Sequence, residues 1–363
     1  MVSMTNMTFF QLIRVAIGKS ADVPQLSEEE WEAMYTKSKE QALTALVFQG
    51  VNRLPADKQP PRKLKLRWIM QVEKTAKRNA DVNKVAVAVS AQFSKAGIAN
   101  CILKGQGNAM MYPQPETRSS GDIDIWIMAD PDKIIRMVKK VSPTAKACYH
   151  HVDSPKVAGI PLELHYRPQF MNNLVCNARL QKWFLEKADE QGKNLVELPD
   201  GAGRISVPTA SFNRIFQMSH IFKHVMDEGI GLRQLLDYYF LLQQGFTEEE
   251  RQEDVRLLKR FGLYNVTAAV MYVLQEVFGM SQDKMIVPPD QRRGRFLLDE
   301  VMLAGNFGHF DKRVSRDGGQ LQKNTNRLKR DLRLLRYFPS ECLWEPVFRW
   351  YHYFWRLKHN KGQ

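Results

Sequence analysis

The stretch Cys101–Ile127, CILKGQGNAMMYPQPETRSSGDIDIWI, sets the architecture of the whole chain. An apolar run, Cys101-Ile102-Leu103, turns at Lys104-Gly105 into a short helical segment ending near Tyr112-Pro113. The stretch closes on Asp122-Ile123-Asp124-Ile125-Trp126-Ile127, where acidic and apolar residues alternate, and that alternation predicts a half-buried strand. Side chains two apart on a strand share a face, so Asp122 and Asp124 project together while Ile123, Ile125 and Ile127 enter a core. Carboxylates about 6–7 Å apart along a strand repel unless a cation sits between them. A hard divalent ion with oxygen ligands, Mg²⁺ (or Mn²⁺), answers that need. Pro161–Tyr166 (PLELHY) is a second alternating segment, with Glu163 and His165 on one face. Paired beside the first strand, it brings Glu163 to Asp122 and Asp124. Such a three-carboxylate cluster can hold two ions about 3.5–4 Å apart for in-line displacement at phosphorus.

A glycine turn into a helix, then D-x-D on a strand, then a lone acid on a later strand: this order resembles the nucleotidyltransferase superfamily of DNA polymerase β. More closely, LKG followed by YP, then R-x-x-G-D-I-D-I and L-E-L-H-Y, is similar to the bacterial uncharacterised nucleotidyltransferase family. The close match runs from about Ile98 to Arg167, with a weaker echo in H-I-F-K-H and G-L-R-Q-L-L-D. The resemblance implies that Asp122 and Asp124 bind the metals that grip a triphosphate, that Glu163 helps activate the attacking hydroxyl, and that Gly105 contacts phosphate. It also implies an NTP substrate. Two departures stand out. Lys104-Gly105-Gln106 replaces the usual Gly-Ser or Gly-Gly pair, so a phosphate-touching hydroxyl is missing, with Lys104, Arg118 or Ser120 as substitutes. The third acid is Glu where Asp is commoner.

The fold expected is α+β: a small mixed sheet forming a nucleotidyltransferase core, with large helical additions on both sides. The divisions expected are a helical region over 1–97, the α/β core over 98–207, a helical domain over 208–304 and basic aromatic helices over 305–363. Hydrophobic residues make up 44% of the 363, enough for a sizeable core. Four scattered cysteines with no C-x-x-C exclude a zinc knuckle or disulfide framework and suit reduced thiols in the cytoplasm. No apolar run approaches the roughly 18–20 residues of a spanning helix, and Met1–Gly18 reads as an ordinary helix.

The net charge is +14, unevenly placed: from Lys312 onward there are 13 Lys/Arg against 4 Asp/Glu. That excess implies a polyanionic partner. Asn326–Phe338 reads as a basic amphipathic helix, and Trp344–Lys358 interleaves aromatics with Arg349, Arg356 and Lys358. Such a segment stacks on single-stranded bases, lies at a membrane interface, or docks its aromatic face on the core. Residues 312–363 are therefore candidates for RNA or anionic membrane contact, peripheral to an inner membrane in the latter case; no stable partner is implied.

The remaining candidates are weaker. Ser27-Glu28-Glu29-Glu30 predicts a helix start running through about Val51, and a long helix should follow from Arg62 to Lys95. His150-His151 read as surface residues. His220 and His224 have metallopeptidase spacing but lack its glutamate, so they should face the cleft or bond across helices to Asp237. Arg233, opening a helix after Gly229-Ile230-Gly231, either binds a triphosphate tail or pairs with Asp237 on the surface. As an exposed acid in a repelling cluster, Asp124 should tolerate Asn without loss of folding while transfer is abolished. The alternative to an enzyme is a catalytically inert nucleotidyltransferase-fold scaffold on an anionic membrane or nucleic acid.

Overall fold

The structure, a computed structural model, describes residues 4–314 and 319–360. Residues 1–3, 315–318 and 361–363, on which the ends of the expected Met1–Gly18 helix and of the basic tail fall, lie outside the described residues. The chain is α+β. Four helices come first: α1 (Met4–Ala16), α2 (Glu28–Glu40), α3 (Thr44–Asn52) and α4 (Arg62–Lys95). Ser27 caps α2 as expected, with its side chain accepting from the Glu30 N–H and Glu30 accepting from the Ser27 N–H. The expected single helix through Val51 is two, because Ala42 takes φ +54 between them. That break lets α3 cross α1 at Gly50, where a Cβ would lie 2.5 Å from the Leu12 carbonyl oxygen.

The sheet follows. β1 (Asn100–Ile102) leads through α5 (Gln106–Ala109) to β2 (Ile123–Ile127), then α6 (Pro131–Val141), β3 (His151–Val157) and β4 (Ile160–His165). Spatial order is β1-β2-β4-β3, with β2 and β4 parallel and both outer pairs antiparallel. α6 starts where Asp130 accepts from the Lys133 N–H and Pro131 presets the first turn. α7 (Leu174–Lys193) then leads to a hairpin of β5 (Leu195–Leu198) and β6 (Gly203–Ser206). The rest is helical: α8 (Ala210–Asp227), α9 (Leu232–Gln243), α10 (Glu248–Arg260), α11 (Tyr264–Phe278), α12 (Gln291–Ala304), α13 (Gln320–Leu335) and α14 (Pro339–His359).

Two apolar cores flank the sheet. Ile123, Ile125 and Ile127 pack with Val82, Val85, Ala86 and Val89 of α4 and Ile134, Ile135 and Val138 of α6. On the opposite face Trp126 stacks on Phe212 of α8 at 5.9 Å and joins the large helical core. β2 is therefore buried along its whole length, and the half-exposed strand expected from its alternation is corrected. The polar face lies under helices, and Asp124 is only 5% exposed.

Candidate active site

The parallel register of β2 and β4 sets Asp124 directly beside Glu163. Asp122 precedes the strand and is exposed; it lines the same cleft of about 620 Å³ as Asp124 and Glu163. The three expected carboxylates thus face one space. Asp124 is already engaged there: its Oδ1 lies 2.9 Å from Lys104 Nζ and 3.0 Å from His165 Nε2. His165 Nε2 also reaches Glu163 Oε2 at 3.2 Å. The view of Asp124 as an exposed acid without a stabilising role is corrected, since it is buried between two cations.

The electrostatics follow from this packing. Burial alone would raise the Asp124 carboxyl, but Lys104 and His165 outweigh it and hold the group well below the usual carboxylate range. Burial would lower Lys104, yet the charges of Asp124, Asp122 and Glu163 raise it, keeping the ammonium protonated. For His165, burial is overcome by hydrogen bonds to Asp124 and Glu163, and its value is pushed up to about 9. On Asp122 the pull of Lys104 is outweighed. The charge of Asp124, then burial, raises it. The same cleft takes basic side chains from elsewhere: Lys223 of α8, Arg327 of α13, and Arg349 and Arg356 of α14.

Gly105 caps α5 with φ +58 and ψ −108, a backbone that side-chain-bearing residues rarely adopt. It lines a narrower recess of about 40 Å³ behind the acids, with Lys104, Arg118 and Arg233. Arg118 is spent structurally: its Nε and Nη2 donate to the two oxygens of Asp237 at 2.8 and 2.7 Å, where Tyr112 and Asn108 also donate. Arg233 donates to the Ser119 carbonyl at 2.7 Å, so the expected surface pair with Asp237 gives way to a buried arrangement. Arg233 Nε and Ser120 Oγ are buried without hydrogen-bond partners.

His220 and His224 both line the cleft, as one of the two expected placements has it. They bond Gln169 and Glu228 and not Asp237. His150 and His151, read as surface residues, line the cleft as well. Burial, then His151 and His165, holds His150 well below its ordinary value, so its ring is neutral. His151 stands opposite His165 in the antiparallel β3–β4 register. The sequence carried one signal of this, since His165 alternates with Glu163 onto the polar face and a neighbouring strand opening on a histidine doublet can meet it there.

The aromatic tail is a wall of the cleft. Phe348 packs on Phe170 at 4.7 Å, Trp355 stacks on Tyr166 at 6.2 Å, and His352 Nε2 accepts from the Tyr149 N–H at 3.2 Å.

Residues 27–279 match the model of a family described as uncharacterised nucleotidyltransferase. The chain belongs to that family. The matched span takes in Lys104, Asp122, Asp124, His150, His151, Glu163, His165 and Lys223 and stops before α12, whereas Arg327 of α13 and Glu345, Arg349 and His352 of α14 wall the cleft from outside it. No curated protein matches the chain. The structure is similar to the crystal structure of an antigenic nucleotidyltransferase-like protein from Paracoccidioides brasiliensis, at 12% identity over 59% of this chain and 96% of that one. The TM-score is 0.34, a likeness too slight to bear on the chemistry.

Proposed function

We propose that this cleft moves a nucleoside monophosphate from an NTP to an acceptor hydroxyl, with pyrophosphate leaving. The observation that carries the reading is the side-by-side register of Asp124 and Glu163 with Asp122 facing the same cleft. A divalent cation, Mg²⁺ or Mn²⁺, fits the donor set, because the Asp122 carboxyl is pushed up by the neighbouring Asp124 charge, a repulsion that a cation relieves. Asp122, Asp124 and Glu163 would hold it, and when bound it would supply neutralisation of the charge developing on the phosphates.

The chain's own residues divide the rest of the work. Lys104, Lys223 and Arg233 face the anionic substrate, and Gly105 admits it close to backbone N–H groups. The Ser120 hydroxyl, the expected substitute for the missing serine of the turn, is buried and unpartnered, and Ser120 lines neither the cleft nor the recess. Arg118 supports this wall through Asp237. Glu163, half-buried in the cleft, is placed to take the proton of the acceptor hydroxyl. Titration calorimetry with Mg²⁺–ATP and Mg²⁺–CTP, and incubation with labelled NTPs and whole-cell lysate, test the reading. Metal-dependent nucleotide binding and transfer of label to an acceptor are expected; absence of both ends it.

A second role, docking on an anionic membrane surface, is favoured by one feature of α14. Leu343, Val347, Trp350, Phe354 and Leu357 recur on one helix face and are 67, 47, 66, 61 and 47% exposed. The acids of α13 and α14 are turned away from solvent: Glu341 and Glu345 are buried and Asp331 is half-buried. The exposed charges here are Lys323, Lys329, Arg336, Arg356 and Lys358, all positive. A second copy would set like charges against each other, whereas anionic lipid headgroups complement them. Co-sedimentation with phosphatidylserine vesicles should retain the full chain and lose the Trp350→Ser, Phe354→Ser double variant. Equal retention of the variant, or retention by tRNA and not by vesicles, refutes it.

A further inference from the structure

We infer that the cleft contains a nitrogen-rich transition-metal site, built by His150, His151 and His165 with Glu163 as an oxygen donor, distinct in chemistry from the hard-cation site of the two aspartates. One ligand atom from each histidine lies within 4.8 Å of the others. His150 Nε2 and His151 Nδ1 are 3.0 Å apart. Glu163 Oε2 lies 3.7 Å from His151 Nδ1 and 3.2 Å from His165 Nε2. Ligands of a tetrahedral Zn²⁺ ion at about 2.0–2.1 Å from the metal stand roughly 3.3 Å apart, so these separations need only small adjustment.

The outer nitrogens are held as such sites require. His151 Nε2 lies 3.4 Å from Asp153 Oδ1, and His165 Nδ1 lies 3.3 Å from the Arg167 carbonyl. A carboxylate behind the His151 ring and a carbonyl behind the His165 ring fix their orientation and turn the other nitrogen inward. The plain alternative is a packed stack of rings, since His150 meets Phe170 and both other histidines edge-on or tilted. Ring packing accounts for the planes but not for His151 Nδ1 and His165 Nε2 both meeting the Glu163 carboxylate while His150 Nε2 closes on His151 Nδ1.

Imidazole donors select Zn²⁺, Co²⁺ and their neighbours over Mg²⁺. The site therefore differs from the proposed Mg²⁺-binding acids in the ion it takes, while sharing Glu163 with them. The test uses the metal-stripped full chain without nucleotide, titrated with Co²⁺ and Zn²⁺. One Co²⁺ per chain is expected, with the visible absorption of a four-coordinate ion, displaced by Zn²⁺ and not by excess Mg²⁺. His150→Ala and His151→Ala should each weaken binding more than a hundredfold, and Asp153→Asn about 10–100-fold; Asp122→Asn should leave Co²⁺ affinity unchanged. Wild-type affinity in both histidine variants, or no Co²⁺ uptake by the wild type, overturns the site without touching the nucleotide reading. Histidine ring resonances of the wild type supply a readout free of folding effects. Zn²⁺ must shift those of His150 and His151, and unmoved resonances overturn the site equally.

Discussion

Neutralising the two aspartates should have very unequal consequences for stability. Asp124→Asn keeps the shape of a 5%-exposed side chain and removes its charge. The Lys104 ammonium at 2.9 Å and the His165 ring at 3.0 Å then face each other with no carboxylate between them. Breaking a buried pair by removing one partner costs about 3–5 kcal/mol, and that is the loss expected here. Asp122 stands exposed and is pressed upward by Asp124, so Asp122→Asn removes a repulsion and should fall within about 0.5 kcal/mol of the wild type. Urea unfolding followed by circular dichroism measures both, and labelled-NTP transfer should be lost in each. A pH series adds a sign. His165 moves from 6.5 to about 9 on folding, so its contribution is fully present below 6.5 and is lost as pH rises through about 9. The shift corresponds to a ceiling of about 3 kcal/mol. Asp124→Asn should flatten that loss. Equal destabilisation by the two substitutions, or a wild-type midpoint for Asp124→Asn, refutes the Lys104–Asp124–His165 network.

Arg118→Lys exchanges a bidentate guanidinium for a single ammonium beside Asp237 and should cost about 1.5–3 kcal/mol for the lost charged hydrogen bond, read as a lower unfolding midpoint. His352, which burial and then Arg356 lower to about 4, supports the docking of α14 while neutral. That contribution is present above 6.5 and lost as pH falls toward about 4, so exchange of the Tyr149 amide should accelerate across that window and be insensitive to pH above it once intrinsic exchange is divided out.

What could be read from the sequence was local. Arg62–Lys95 begins after Pro61 and ends before Gly97, and both boundaries follow from backbone chemistry within a few residues. The same holds for the Ser27 capping box and for the alternation that marks β2 and β4. The break at Ala42 was not legible, because no glycine or proline marks it and it exists to let α3 cross α1. Arg118 and Asp237 are 119 residues apart, and nothing in the spacing of either announces a partner that only the packing of α9 on the core supplies. The C-terminal aromatics were ambiguous for a related reason. α14 uses one face to dock on Tyr149 and Phe170 and leaves another bare, so a single composition serves both readings.

The acids of the candidate site show the limit most sharply. Alternation reports which residues are polar, and half-burial is inferred only because most polar faces meet water. A buried charge obeys a different condition, that a partner be present. For Asp124 the partners are Lys104, on the turn before α5, and His165, at the end of the paired strand. It follows that a bare cation gains little at Asp124, since Lys104 and His165 already answer its charge. A triphosphate brings negative charge that Lys104 can meet instead, along with Arg356 of α14, while Lys223, Arg327 and Arg349 are held by Asp227 and Glu345. The charge balance of the cleft therefore favours metal and nucleotide arriving together over either alone.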